Sequence, residues 1–312
     1  MTDRGIDPTD ATQVEPGVGP HFGPQFGPHF GPHFGLGVPN GGDFADPRRQ
    51  IELARTAEDA GWDGFFLWDH VIRRQPWKPM IDPWVTLAAI AVTTERMILG
   101  PMVTPLARRR VSVVARETAT LDLLSDGRLR LGVGLGAPDD EFTRFGEDAD
   151  PVRRARILDE SLEALTALWS GETVTYHGDH VVADGVQFLP RPVAGRVPIW
   201  VAGGWPGGAP FRRAARYDGV WPVAKAGGDV SVEEFAECVA TVRQLRTSAG
   251  ADSDAPYDAC FMGQSPNVTD LQTADRLGRL VDAGMTWWIE SLDDPDVAFE
   301  AHRERVLAGP PA

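Results

Sequence analysis

The sequence contains very few lysines and cysteines, and each shortage narrows the class of protein it encodes. Lys78 and Lys225 are the only lysines among 30 basic residues, so nearly every cation is an arginine. The two cysteines, Cys238 and Cys260, lack the CxxC spacing of zinc and redox sites. They are also too few for a disulfide framework. We therefore expect two reduced, packed thiols and no metal centre.

Long apolar runs are missing as well, and positive charge is in deficit. No apolar stretch reaches the roughly 18 residues of a membrane span, and no basic region followed by a hydrophobic core opens the sequence. The 45 acidic residues outnumber the basic ones and give a formal net charge of −15. A nucleic-acid backbone would repel such a surface. We expect a cytoplasmic protein that binds neither membranes nor nucleic acids.

Residues 1–33 differ in composition from the rest of the chain. They end in the repeat GPHFGPQFGPHFGPHFG, in which proline at every fourth position forbids a regular helix and glycine raises the entropic cost of ordering. His21, His29 and His33 could in principle chelate a metal, but a solvated low-complexity tail accounts for the same composition. We interpret 1–33 as a disordered tail before one domain over 34–312.

From residue 34 onward, strand patterns and helix patterns alternate strictly. An additional stretch, 173–192, alternates like a surface hairpin after the fourth strand. Such alternation favours a closed (β/α)8 TIM barrel with an excursion after strand four over a doubly wound sheet. The eight predicted strands are 34–38, 64–68, 97–103, 129–134, 198–203, 218–222, 257–263 and 285–291.

A barrel places its active site at the carboxyl ends of the strands, and the residues there are mostly glycine and aromatic. No pair of carboxylates flanks a cleft, so this mouth suits a planar organic cofactor better than hydrolysis. His70 is the best titratable candidate, and Asp69 beside it could orient it or cap the next turn. An imidazole there could exchange a proton with cofactor or substrate, or simply be hydrogen-bonded in a turn.

Two glycine-rich segments follow predicted strands. Residues 132–136 are only a fragment of a dinucleotide fingerprint, but Gly134 and Gly136 suit the edge of a flat ring. Residues 203–208 open a helix, where free amides with Arg212 or Arg213 could hold a phosphate.

Two charged groups also have structural explanations. Residues 108–110 are three arginines, which either pair with acids or bind an anionic ligand. His177 and His180 have a metal-like spacing, but we interpret them as packing residues of the hairpin.

Four stretches are typical of one known family. They are AEDAGWDGFFLWDH, LDLLSDGRLRLGVGLG, the helix RARILDESLEALTALW, and PIWVAGG followed by RRAARYDGVWP. Together they resemble the bacterial luciferase-like monooxygenase superfamily over about residues 34–310. The resemblance implies a (β/α)8 barrel, FMN or the deazaflavin coenzyme F420 at the barrel mouth, and a homodimer.

The same resemblance implies roles for individual residues. Asp69 and His70 match the catalytic position, and Met102–Val103 matches a bulge that carries a non-proline cis peptide behind the ring. Ala137 stands where sugar-phosphate dehydrogenases of the family have a glutamate, which Asp139, Asp140 or Glu141 could replace. The implied substrate residues are Trp77 and Lys225. The implied cofactor residues are Met102, Val103, Thr104, Gly134, Gly136, Ala202, Gly203, Gly204 and Trp205.

The sequence therefore predicts an oxidoreductase that acts on a small organic substrate by hydride transfer or oxygen activation. The histidine after Asp69 and the arginine-rich composition favour F420 over FMN, and a separate flavin or F420 reductase is one candidate redox partner. The alternatives are a non-catalytic flavin-binding barrel, a subunit of a two-protein monooxygenase, and another barrel enzyme such as a sugar-phosphate isomerase.

Overall fold

The computed structural model describes residues 31–73, 78–225, 229–252, 255–265, 271–293 and 297–311. Most of the predicted tail, with His21 and His29, lies outside the described residues, as does Trp77. The strands are β1 His33–Val38, β2 Gly64–Leu67, β3 Ile98–Pro101, β4 Thr104–Pro105, β5 Leu131–Gly134, β6 Thr173–His177, β7 Val182–Gln187, β8 Ile199–Trp205, β9 Gly219–Ala224, β10 Asp258–Gly263 and β11 Trp287–Ser291.

The helices alternate with the strands of the barrel. Their residue ranges are α1 Pro47–Asp59, α2 Pro83–Ala91, α3 Val111–Leu124, α4 Asp140–Thr143, α5 Pro151–Trp169, α6 Ala209–Ala214, α7 Val232–Ser248, α8 Leu271–Asp282 and α9 Phe299–Leu307. Within the described ranges, no helix is both long and apolar enough to cross a membrane.

The parallel strands form one closed ring. Their order is β3-β2-β1-β11-β10-β9-β8-β5-β4, where β3 and β4 are two segments of the third barrel strand. The ring closes where the Leu99 amide donates to the carbonyl of Arg128 (3.1 Å) and the Arg130 amide donates to that of Leu99 (2.9 Å). β6 and β7 pair only with each other, as an antiparallel hairpin. The predicted (β/α)8 barrel with its excursion is thus confirmed.

Aspartate followed by proline starts three of the helices. Asp46, Asp82 and Asp150 each accept a hydrogen bond from a backbone amide of the first turn, and proline occupies the start of the helix. Proline suits this position because its missing N–H would have no partner inside the helix. α7 instead begins with a capping box between Ser231 and Glu234. These local signals fix where the four helices begin.

Aromatic side chains fill the barrel interior below its mouth. Phe66, Trp200 and Trp287 pack with ring centroids 5.1–5.6 Å apart, and all are buried. Cys260 lies in the same cluster, and Cys238 is on the buried face of α7; both are free thiols. Because the interior is closed by these rings, a ligand can bind only above them, at the carboxyl ends of the strands.

One short helix lies outside the regular alternation of strands and helices. The stretch after β5 contains the four-residue helix α4. Phe142 anchors it under the glycine at position 136, with the guanidinium of Arg154 4.6 Å from the ring centre. This short helix supplies an essential part of the site.

Candidate active site

An open cavity of about 1080 Å³, partly continuous with solvent, lies at the carboxyl ends of the barrel strands. This is the position that the barrel fold predicts for a ligand. Its wall is mostly apolar, with a few polar groups gathered near the ends of β2 and β5. The lining residues are Trp68, Asp69, His70, Met102, Val103, Pro105, Gly134, Leu135, Gly136, Ala137, Glu141, Ala202, Gly203, Gly204, Pro210, Arg213, Trp221 and Val223.

The strand-three bulge has the predicted conformation. The Met102–Val103 peptide bond is cis, and both residues line the cavity. Glycine on the neighbouring strand is required by this bulge, since a Cβ on Gly134 would lie 2.9 Å from a methyl carbon of Val103. Gly136 adopts a φ of +82°, which disfavours other residues. These glycines therefore fit the protein's own packing as well as the cavity.

His70 is held at the cavity edge by a buried carboxylate. Its Nδ1 lies 2.9 Å from Oε1 of Glu141, whose side chain is only 1% exposed, whereas that of His70 is 29% exposed. Arg108 donates to the other Glu141 oxygen, and the Val71 amide donates to the first (3.2 Å). An ionised carboxylate can only accept, so Nδ1 carries the proton of this hydrogen bond, and when the ring is neutral Nε2 is the acceptor.

The electrostatics keep Glu141 ionised. Burial alone would raise the pKa of Glu141, but the hydrogen bond and charge of His70, together with the charge of Arg108, lower it below its usual value. Asn40 fixes the backbone, donating from Nδ2 to the carbonyls of His70 and Ile81, both at 2.8 Å. Hydrogen bonds to the ring and to the backbone of His70 therefore both fix the position of its imidazole.

Asp69 has other partners. Its carboxylate accepts from the hydroxyl of Thr104 (2.9 Å), the indole of Trp84 (3.3 Å) and the guanidinium of Arg109 (3.1 Å). The expectation that Asp69 could orient His70 is therefore corrected: Glu141 does so. Thr104 is fully buried and does not line the cavity, so its hydroxyl supports Asp69 rather than meeting a ring.

The remaining predicted residues divide between the cavity and its surroundings. Ala202, Gly203 and Gly204 line it, whereas Trp205 packs edge-on against Phe211 at 5.0 Å and does not. Arg213 forms two hydrogen bonds with Asp159 and is not free for a phosphate. Lys225 is exposed beyond β9. The sequence pattern did not indicate the cavity residues Pro105, Pro210 and Trp221, and it offered Glu141 only as one of three candidate acids.

A family profile described as luciferase-like monooxygenase matches residues 26–301. This chain belongs to the luciferase-like monooxygenase family. Family membership and the curated relatives confirm the predicted class of enzyme, an oxidoreductase.

The curated relatives of this luciferase-like enzyme match it over different lengths. The F420-dependent glucose-6-phosphate dehydrogenase of Nakamurella multipartita is 34% identical over 296 residues, which cover 84% of each chain. The protein of the same name from Microbacterium testaceum is 36% identical over 167 residues, 51% of this chain and 48% of that one. The chain thus spans about half the length of some relatives that it matches.

Solved structures share the barrel. An F420-dependent secondary alcohol dehydrogenase in complex with an F420-acetone adduct gives a TM-score of 0.72 at 18% identity, covering 89% of this chain and 99% of that one. The oxygenating constituent of 3,6-diketocamphane monooxygenase from Pseudomonas putida, in complex with FMN, gives 0.63 at 18% identity, covering 88% and 83%. Both predicted cofactors therefore occur among the relatives, and F420 is named for the curated ones above.

Proposed function

We propose that this enzyme is an F420-dependent dehydrogenase that exchanges a hydride and a proton with a small alcohol or carbonyl substrate. The observation that carries the proposal is the His70–Glu141 pair, which directs Nε2 at an apolar cavity beside the Met102–Val103 bulge. The names of the curated relatives support the choice of F420.

The cavity fits a flat tricyclic group with an anionic tail. Small side chains and bare backbone at Gly134, Ala202 and Gly203 would hold the ring against Val103. Two exposed cations near this end, Arg212 on α6 and Lys225 after β9, are suited to the acidic tail. F420, when bound, supplies a ring carbon that accepts or donates a hydride.

The protein's own residues handle the proton. Nε2 of His70 accepts the proton of a substrate hydroxyl in oxidation and returns it to the carbonyl oxygen in reduction. Glu141 stabilises the imidazolium that forms, through its hydrogen bond to Nδ1. The names of the curated relatives, which are dehydrogenases, favour hydride transfer over the monooxygenase reaction.

Titration with F420 and with FMN, followed by fluorescence quenching, tests the cofactor. We expect F420 to bind more tightly. In His70→Asn, F420 binding persists while turnover, measured as loss of F420 absorbance with a panel of alcohols, falls by about 10²–10⁴-fold. His177→Asn, on the exposed hairpin, is the matched control and keeps full activity.

Two outcomes would contradict the proposal. Preferential binding of FMN, with oxygen consumed during turnover, would favour the monooxygenase reaction. Unchanged turnover in His70→Asn would remove the assigned proton acceptor, and F420 binding without turnover of any substrate would favour the non-catalytic barrel.

The assembly proposed with this function is a homodimer formed through α2 and α3. These adjacent helices expose branched apolar side chains: Val85 (73%) on α2, Val92 (63%) directly after it, and Val113, Leu123 and Leu124 on α3. α2 is apolar almost all round, which is unusual for a helix with one face in water. The cytoplasmic location and a separate reductase remain predictions from the sequence.

A further inference from the structure

A second lobe extends the cavity on the far side of His70. It has a volume of about 780 Å³ and shares Trp68, His70 and Ala137 with the main cavity, so the imidazole lies at the junction of the two. Its other lining residues are Ile72, Arg73 and Pro138. We call these six residues the apolar lobe. The edge of the His70 ring meets the indole of Trp68, with centroids 5.5 Å apart.

The one arginine of the apolar lobe is already neutralised. Arg73 donates to Asp293 at 2.9 Å, and its guanidinium lies 5.3 Å from the ring centre of Trp68. It therefore contributes its aliphatic stem and a flat stacked face rather than a free positive charge.

The charged groups of the main cavity are also paired. Asp69 is engaged by Arg109, Glu141 by Arg108, and Arg213 by Asp159. Among the described lining residues of both lobes, no lysine or arginine lacks a carboxylate partner. A phosphate dianion placed beside His70 would lose part of its hydration without finding an unpaired guanidinium or ammonium group among these residues.

Two exposed cations lie on the opposite side of the barrel from the apolar lobe. Lys225 follows β9 and Arg212 is on α6, whereas Trp68 follows β2, and β1, β11 and β10 separate β9 from β2 along one side of the ring. Lys78, also exposed, lies in the connection after β2 but is not among the described lining residues of the apolar lobe. The β8–β9 side therefore suits the acidic tail of F420, and the lining of the apolar lobe suits an uncharged substrate.

We propose that the apolar lobe binds a neutral alcohol or carbonyl compound with an apolar body, stacked on Trp68 and contacting Ile72, and that phosphorylated sugars are not substrates. The inference rests on the proposed function for the chemistry at His70, but the binding preference is independent of F420.

Isothermal titration calorimetry of the full chain tests this assignment, with cyclohexanol as the neutral probe and glucose 6-phosphate as the phosphorylated one, each with and without F420. We expect cyclohexanol to release or absorb heat on titration and to raise Tm in a separate thermal melt. We expect neither effect from glucose 6-phosphate. Ile72→Ser weakens cyclohexanol binding by about tenfold because it removes apolar contact. Val182→Ser, an exposed valine of the hairpin, leaves binding unchanged.

The outcomes separate the two proposals. Tighter binding of glucose 6-phosphate than of cyclohexanol, or equal cyclohexanol affinity in Ile72→Ser and the parent protein, overturns the apolar-lobe assignment even when F420 binds. Cyclohexanol binding that is lost in Ile72→Ser, in a protein with no affinity for F420, upholds the lobe and overturns the proposed function.

Discussion

At the scale of single residues, the site depends on two neighbours that serve different partners. Asp69 and His70 are adjacent in the chain just after β2, but their side chains have separate partners. The carboxylate of Asp69 contacts Thr104 and Arg109, while the imidazole lines the cavity and contacts Glu141. Adjacency in sequence suggested that the acid orients the base, and these long-range contacts show that it does not.

Asp122 provides a test of electrostatics away from the site. It is buried on α3, its Oδ2 accepts from the Val193 amide at 2.7 Å, and burial raises its pKa to about 6. Between about pH 4 and pH 6 the folded state therefore holds a proton that the unfolded chain has released, so stability decreases as the pH rises. Relative to the parent protein, Asp122→Asn should gain about 2 kcal/mol of unfolding free energy between pH 4 and pH 7.

Urea unfolding at pH 4, 5, 6 and 7 measures this difference. Asp59→Asn, an exposed aspartate at the end of α1, controls for the loss of one charge. Parallel stability curves for Asp122→Asn and the parent protein across this range would refute the assigned burial effect.

At the scale of elements, the shortest helix has the largest effect on the site. α4 is only four residues long, so it carries no helical periodicity that a sequence pattern could reveal. The signal that was available is chemical: Pro138 followed by three acids is typical of a helix start. Only the contact with His70, 71 positions away in the chain, distinguishes Glu141 from Asp139 and Asp140.

The exposed face of α2 gives a prediction about assembly. If two copies associate through it, the double variant Val85→Glu, Val92→Glu should be a folded monomer, because carboxylates on both copies would be buried against apolar surface. Light scattering with size-exclusion chromatography measures the mass. Leu307→Glu on α9, another exposed apolar side chain, should leave the dimer intact. A parent protein that is already monomeric would rule out this interface.

At the scale of the whole molecule, barrel closure depends on a buried arginine. Arg128 donates to the carbonyls of Ala91, Thr94, Met97 and Ser125 and to the Thr94 hydroxyl. It thereby satisfies carbonyls beyond the end of α2 at the point where β3 meets the start of β5. The planar guanidinium, with five donors, suits this role better than an ammonium would.

Two truncations test whether the barrel is independent of the segment that precedes β1. Because β1 begins at His33 and pairs with both β2 and β11, deletion of residues 1–30 should leave Tm and F420 affinity unchanged. Deletion of residues 1–38 removes that strand and opens the ring, so we expect loss of cooperative unfolding. Circular dichroism melts and F420 titration of both variants measure the two effects. A large drop in Tm for the shorter deletion would refute the interpretation of the tail as dispensable.

The sequence by itself determined the order of strands and helices, the closed barrel and the position of His70. These follow from spacing over a few residues, such as alternating apolar runs, and from the rule that places a barrel's site at the strand ends. Only the tertiary structure decided that Glu141 holds the imidazole, that Asp159 occupies Arg213 and that the described residues lining the lobe beside Trp68 include no unpaired cation. Each of these depends on contacts between side chains brought together by folding, whose partners no local pattern specifies.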